Sequence, residues 1–249
     1  MTRDLTILTG ASRGLGLALA EQLLARGHRL LTLSRRPPRL AVPDGAELLC
    51  WQADLAEPAP LAAQLEAWLS GAGGAGVASA TLIHNAGVMP TPAPLADVGT
   101  AELSNAMRVG LEAPLLLTSA FLRSTRSWRL PRKVLLISSG LGRRAMAGAT
   151  AYCAVKAGMD HLARCVALEE AERPDGARIV SLAPGVIDTD MQLQLRGADP
   201  ALFPERERFA GLHAEGRLDT PAQAAAKVLK RLDSPGFGLE PVADVRDPD

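Results

Sequence analysis

Residues 151–160 read AYCAVKAGMD and hold the only tyrosine of the chain, four positions before a lysine. On a helix, side chains four apart lie one turn above another, so Tyr152 and Lys156 point together. A phenol ordinarily titrates near pH ~10, too high for ready proton transfer at neutrality. An ammonium beside it favours the phenolate and is expected to lower that value. Such a phenol can give a proton to a carbonyl oxygen while hydride reaches the carbon. Upstream, LLISSG (135–140) ends an apolar run with Ser138 and Ser139. A serine at that place serves turn chemistry, or holds a substrate carbonyl by a hydrogen bond.

Residues so far apart need a scaffold that brings them to one edge. Apolar runs of strand length occur at 5–9, 28–34, 47–51, 80–85, 133–138 and 177–183, with a short one near 239–245. Helix-like stretches fall between them, over 14–26, about 58–70, 100–126, 151–172 and 221–232. Repeated β-α-β order requires crossovers, and right-handed crossovers give a doubly wound sheet. The predicted fold is α/β: one Rossmann-type domain over 1–249, a parallel sheet of about seven strands with helices on both faces. GAGGAG (71–76) reads as a flexible loop inside that domain. The segment 188–218 interrupts the alternation and is placed to cover a substrate. Met146, Met191, Phe203 and Phe209 lie near it, as pocket lining or as core.

The first strand runs into TGASRGLG (9–16), with glycines at 10, 14 and 16 before a helix-forming stretch. Glycine is needed where backbone approaches a phosphate or turns with positive φ. The following helix N-terminus offers free N–H groups and a positive dipole end to a pyrophosphate. The second strand ends in LSRRP, with Ser34, Arg35 and Arg36 and no carboxylate. A carboxylate there would grip the ribose 2′-hydroxyl of NAD. Guanidinium groups, Arg13 among them, suit a 2′-phosphate instead, so NADP(H) is expected over NAD(H).

Composition narrows the function. Charge is balanced, with 27 basic and 27 acidic residues, which argues against a polyanion-binding protein. Three cysteines form no CxxC pair and are expected to be small buried thiols in a reducing compartment. Four scattered histidines show no metal-ligand spacing, so no metal is expected. No signal-like segment precedes the first strand, and no apolar run approaches a membrane span. A cytoplasmic location without membrane or nucleic-acid partners is the expectation.

TGASRGLG, HNAG (84–87), ISSG, YCAVK and APGVIDT (183–189), in this order and spacing, resemble the short-chain dehydrogenase/reductases over nearly the whole chain. The resemblance implies Ser139 as the substrate-orienting residue, Tyr152 as acid/base, and Lys156 as ribose ligand and partner of Tyr152. It implies a cofactor held by Gly10, Ser12, Arg13, Gly14, Leu15, Gly16, Ser34 and Arg35, with Asp54 and Leu55 near the adenine. Asn85, Ala86 and Gly87 would lie beside the cofactor, and Pro184, Gly185, Val186 and Thr189 against the nicotinamide. One departure stands out: Gly110 falls where the family often carries an asparagine that supports a proton-relaying water. Within the family the pattern is most similar to the sepiapterin reductase and benzil reductase group. That implies reduction of one carbonyl of a vicinal dicarbonyl, with Asp244 matching a carboxylate that anchors the pterin. A homodimer or homotetramer through 100–126 and 151–172 is implied as well. Two other readings stay open: an acyl-thioester 3-oxo reductase with a basic docking patch, and a non-catalytic NADP(H)-binding regulator.

Overall fold

The computed structural model describes residues 2–247. Strands β1 (Arg3–Thr9), β2 (Arg29–Ser34), β3 (Glu47–Gln52), β4 (Val77–His84), β5 (Arg132–Ile137), β6 (Arg178–Ala183) and β7 (Val242–Asp244) form one sheet. Their spatial order is β3-β2-β1-β4-β5-β6-β7, and every neighbouring pair is parallel. The helices are α1 (Gly14–Ala25), α2 (Pro58–Ala72), α3 (Thr100–Met107), α4 (Ala113–Thr125), α5 (Thr150–Ala171), α6 (Asp190–Arg196), α7 (Arg206–Ala214) and α8 (Pro221–Asp233). The segment 188–218 is thus two short helices and their connections, not an open loop.

Both faces of the sheet are buried, which is why its strands read as continuous apolar runs. Successive side chains on a strand alternate faces. Leu5, Ile7, Leu31, Leu33, Leu82, Val134 and Leu136 pack with Leu61, Leu65, Leu117, Phe121 and Met159 of α2, α4 and α5. Leu8, Leu30, Ile83, Leu135, Val180 and Leu182 pack on the opposite face with Leu19, Leu23, Val228 and Leu232 of α1 and α8. Burying each such side chain contributes about 1.5–3 kcal/mol, and conformational entropy offsets most of the sum.

A smaller cluster of Met146, Leu195, Phe203 and Phe209 holds α6 and α7 in place. Phe203 and Phe209 stack with ring centroids 5.8 Å apart. Aromatics supply only 3% of the chain, so this pair is a concentrated anchor for the segment.

The stretch 100–126 is one rod built from α3, a π-helical turn over Arg108–Glu112, and α4. Gly110 lies in that turn, and a Cβ there would sit 2.4 Å from Val155 Cγ1 of α5. The glycine therefore lets α5 approach the rod closely. The GAGGAG stretch is less free than its composition suggests. Gly73 closes α2 in the left-handed conformation, and Gly74 lies under the Trp128 ring. The thiols depart from expectation too. Cys50 and Cys165 are exposed, and Cys153 is half-buried. Cys50 sits on the edge strand β3, and Cys165 on the outer side of α5. Among the described residues no helix is long and apolar enough to cross a membrane, and no group of three or more His, Cys, Asp or Glu could hold a metal.

Candidate active site

The chain runs outward from β1 to β3, then crosses back to place β4 on the other side of β1. At such a reversal the crossovers diverge and leave a crevice beyond the carboxyl ends of the strands. A cavity of about 1340 Å³ lies there. One end is lined by the turn after β1, Ser34, Arg35, Arg36, Asp54 and Leu55. The other is lined by Ser139, Leu141, Arg144, Tyr152, Met191, Phe209, Leu212, Asp244 and Arg246. Of the four residues in or beside 188–218, Met191 and Phe209 face the cavity, and Met146 and Phe203 are buried behind it.

The first end is a backbone cradle. Gly10 has φ +72, and a Cβ there would lie 2.9 Å from Ala86 Cα. A Cβ on Gly16 would meet the Gly10 carbonyl oxygen at 2.1 Å and Asn85 Nδ2 at 2.4 Å. Thr9 Oγ1 accepts from the N–H of Asn85 (3.0 Å) and of Ala86 (3.1 Å). Asn85 Nδ2 donates to the carbonyls of Thr9 (3.1 Å) and Gly10 (3.0 Å). Asn85 is therefore a prop that fixes the glycine turn from the end of β4. Helix α1 begins at Gly14 after an extended Arg13, with no side-chain cap. Its first N–H groups remain available, and the helix dipole adds positive potential.

Ser12, Gly14 and Leu15 line this end, with Ala86 and Gly87 across from them. Ser34 is buried, and its hydroxyl has no partner. Arg35 and Arg36 are exposed beside it. Arg13 does not join them: its Nη1 lies 2.6 Å from Asp190 Oδ2 at the start of α6. Farther along, Pro184, Gly185, Val186 and Thr189 form the wall after β6, and Gln192 is buried with an unpartnered Oε1. A steric cradle of glycines, an uncapped helix start and two orphaned buried oxygens are what a dinucleotide would fill. The residues present fit that group.

The other end brings together the residues expected to carry the chemistry. Ser139, Tyr152 and Lys156 line the same cavity. Tyr152 and Lys156 are buried, one turn apart on α5, and Lys156 Nζ lies 5.5 Å from the Tyr152 ring centroid. Lys156 Nζ donates to the Ile137 carbonyl at 2.7 Å. Burial brings the Lys156 ammonium down to about 8, against the pull of Asp160. Burial pushes the Tyr152 phenol up to about 12, and the Ser139 hydroxyl works in the opposite direction. The phenol is thus not made acidic by its lysine, contrary to the expectation from the spacing. The ammonium is engaged with a backbone carbonyl, and a buried phenolate loses more hydration than a neighbour restores. At neutral pH the phenol is fully protonated, the form that donates to an oxygen.

Below this pair lies a network absent from the sequence reading. Asp160 is buried on the same helix face, and its Oδ1 accepts from Ser138 Oγ and Ser181 Oγ, both at 2.7 Å. Its Oδ2 accepts from Arg143 Nε at 3.2 Å, and Arg143 Nη2 donates to the Ala243 carbonyl at 2.8 Å. The ends of β5, β6 and β7 are thereby tied to α5. The two adjacent serines part ways. Ser138 serves this network, and Ser139 faces the cavity while accepting from the Leu141 N–H at 3.2 Å. The spacing Tyr152, Lys156, Asp160 repeats the four-residue step and was the available signal.

Asp244 also lines the cavity, but Arg246 holds both its oxygens, at 2.7 Å from Nε and 2.5 Å from Nη2. Those hydrogen bonds keep its carboxyl below the usual carboxylate range.

Comparison with known proteins agrees with this geometry. Residues 4–199 match the family described as short chain dehydrogenase. The chain is 34% identical over 235 residues to a benzil reductase ((S)-benzoin forming) of Bacillus cereus, covering 93% of this chain and 94% of that one. It is 35% identical over 252 residues to the sepiapterin reductase of Meriones unguiculatus, covering 93% and 92%. Among solved structures, a short-chain dehydrogenase/reductase from Burkholderia vietnamiensis superposes with a TM-score of 0.65 at 35% identity, over 99% of this chain and 100% of that one. The glycine cradle, the Tyr152–Lys156 turn and these matches converge: the chain belongs to the short-chain dehydrogenase/reductase family, whose members bind a nicotinamide cofactor, and is an oxidoreductase acting on carbonyl and alcohol groups.

Proposed function

We propose that this protein is an NADPH-dependent carbonyl reductase acting on a ketone or vicinal dicarbonyl. The observation that carries the reading is the convergence of Ser139, protonated Tyr152 and Lys156 on one cavity with the glycine cradle. The names of the two relatives, a benzil reductase and a sepiapterin reductase, support this substrate class. Preference for NADPH rests on Ser34, Arg35 and Arg36, which bring two exposed guanidinium groups and no carboxylate to the end of β2.

Gly10, Ser12, Gly14, Leu15 and Gly16 would hold the pyrophosphate, and Asp54 and Leu55 the adenine. Asn85, Ala86 and Gly87 would lie beside the cofactor, and Lys156, Pro184, Gly185, Val186 and Thr189 would hold the nicotinamide half. When bound, the reduced cofactor supplies the hydride. The Ser139 hydroxyl donates to the substrate carbonyl oxygen and aligns it. The Tyr152 O–H gives its proton to that oxygen as negative charge develops there. Lys156 keeps a positive charge beneath the phenol and favours the anionic form left behind. Helices α6 and α7 cover the substrate and exclude water. Asp244 with Arg246 forms a polar wall on which a substrate group can be anchored. Exposed Leu115 on α4 and Leu168 on α5 support association of copies through these helices.

The acyl-thioester reading loses support from the cover, because its arginines are neutralised. Arg196, Arg206, Arg208 and Arg217 pair with Asp188, Glu207, Glu205 and Glu215. Tyr152→Phe tests the proposal. NADPH oxidation with benzil is expected to fall by about 10²–10⁴-fold. NADPH binding, followed by cofactor fluorescence, is expected to stay within about twofold. A variant that turns over at the normal rate overturns the assignment.

A further inference from the structure

We infer that Arg144 selects carbonyl substrates bearing a carboxylate, so that the preferred substrates are oxo acids. This rests on the carbonyl-reductase reading and names the substrate class of the same site. Arg144 lines the cavity at the end occupied by Ser139, Tyr152 and Phe209. It follows Arg143, whose guanidinium is committed to Asp160 and the Ala243 carbonyl. The two adjacent arginines therefore divide, one locked into the scaffold and one left at the cavity.

Charge balance around the cavity isolates Arg144 further. Arg196 is paired with Asp188, Arg208 with Glu205, Arg246 with Asp244 and Arg13 with Asp190. The carboxylates that line the substrate end, Asp188 and Asp244, are thus both matched by arginines of the chain itself. Among the described residues Arg144 has no carboxylate within 4.0 Å and no hydrogen-bond acceptor. At the opposite end the unpaired guanidinium groups are Arg35 and Arg36, where a ligand phosphate would lie. Arg144 is their counterpart among the residues that line the cavity with Ser139 and Tyr152.

A guanidinium offers paired N–H donors in the plane a carboxylate presents, and charge-assisted bonds of this kind are the stronger ones. A carboxylate directly attached to the carbonyl carbon would fix which face of that carbon meets the hydride. The guanidinium would also favour the negative charge that grows on the adjacent oxygen.

Two compounds of similar shape test this: benzil, a neutral diketone, and 2-oxo-2-phenylacetate, in which a carboxylate replaces one benzoyl group. The wild type is expected to show the higher kcat/KM for the oxo acid. Arg144→Gln is expected to lower the ratio of kcat/KM for the acid to that for benzil by about 10- to 100-fold, the range of a hydrogen-bonded charge. Arg144→Lys should recover part of it. In the wild type that ratio should fall as salt rises from about 0.05 to 0.5 M, and in Arg144→Gln it should not. Calorimetric titration of the oxo acid into NADP-loaded protein reads the same dependence without turnover. Arg144 is exposed and unpartnered, so its replacement leaves the fold in place.

Turnover of benzil with a ratio that Arg144→Gln does not move overturns this inference and leaves the reductase reading standing. Absence of turnover with either compound overturns the reductase reading. If the oxo acid then also binds wild type and variant alike, this inference falls with it.

Discussion

The two ends of the cavity are made of different material. At the cofactor end, backbone does the work: Gly10, Gly16 and the Asn85 amide are packed so closely that a single methyl group has no place. At the substrate end, side chains do it: Ser139 after β5 and Tyr152 and Lys156 of α5 lie under a cover of two short helices, itself held by the Phe203–Phe209 stack and by ion pairs that are largely exposed. Close backbone packing admits few residue types, so the first end is rigid and sensitive to substitution. Exposed ion pairs contribute little each, so the cover of the second end can vary its residues, and with them the substrate, at small cost to stability.

The sharpest way to break this contrast is at Gly16. Gly16→Ala places a Cβ 2.1 Å from the Gly10 carbonyl oxygen, and neither backbone segment can withdraw without moving β1 or β4. The expected loss is about 3 kcal/mol of stability, at the upper end for overpacking. That corresponds to roughly 6–12 °C in Tm for a chain of this size. NADPH affinity should fall by at least about tenfold, because the displaced atoms form the cradle proposed to hold the pyrophosphate. A differential scan with and without NADPH reads both. Gly16→Ala with an unchanged Tm and cofactor affinity would show that the cradle is soft.

Gly110 offers a smaller effect and a sharper logic. Placing an asparagine there, Gly110→Asn, as the family resemblance leads one to expect, puts a Cβ 2.4 Å from Val155 Cγ1. A β-branched residue in a helix has one strongly preferred rotamer and cannot turn aside. About 1–3 kcal/mol of destabilisation is expected, read by urea unfolding. Val155→Ala removes the clash, so the double variant should recover most of the loss. The coupling between the two sites should be about 1–2 kcal/mol in a double-mutant cycle. If the single variant folds as well as the wild type, the glycine is not there to admit α5.

The same contrast explains what could be read from sequence. The order of strands and helices was legible because burial on both sheet faces writes long apolar runs. The glycine turn was legible because a steric demand for no side chain leaves a mark at fixed spacing. Tyr152 and Lys156 were legible from the helical step. What was not legible depended on where a side chain finds its partner. Spacing alone placed a lysine beside a tyrosine, but burial decided the direction in which the phenol moved. Asp160 looked like any polar residue on α5 until Ser138, Ser181 and Arg143 closed on it. Arg13 sits in the glycine turn, yet Asp190 lies 177 positions away, and no local pattern announces such a pair. Cys50 and Cys165 are exposed because an edge strand and an outer helix face set their environment, which residue type alone does not determine.

That distant pair joins the two ends, and breaking it should give the smallest effect of the three. Arg13 and Asp190 are 2.6 Å apart, with side chains 72% and 63% exposed. Water and salt screen such a contact, so Asp190→Asn should change stability by less than about 1 kcal/mol. Its consequence should appear in the cofactor instead. With Asp190 neutral, the Arg13 guanidinium is released beside Arg35 and Arg36, and one more cation then faces a 2′-phosphate. NADPH affinity should rise severalfold at low salt, NADH affinity should stay unchanged, and the gain should vanish near 0.5 M salt as the ~10 Å screening length at 0.1 M shortens. Titration of both cofactors at two ionic strengths decides it. A gain confined to NADPH makes Arg13 a phosphate ligand restrained by the cover. Equal affinities in variant and wild type make it a hinge contact that belongs to α6, with discrimination left to Ser34, Arg35 and Arg36.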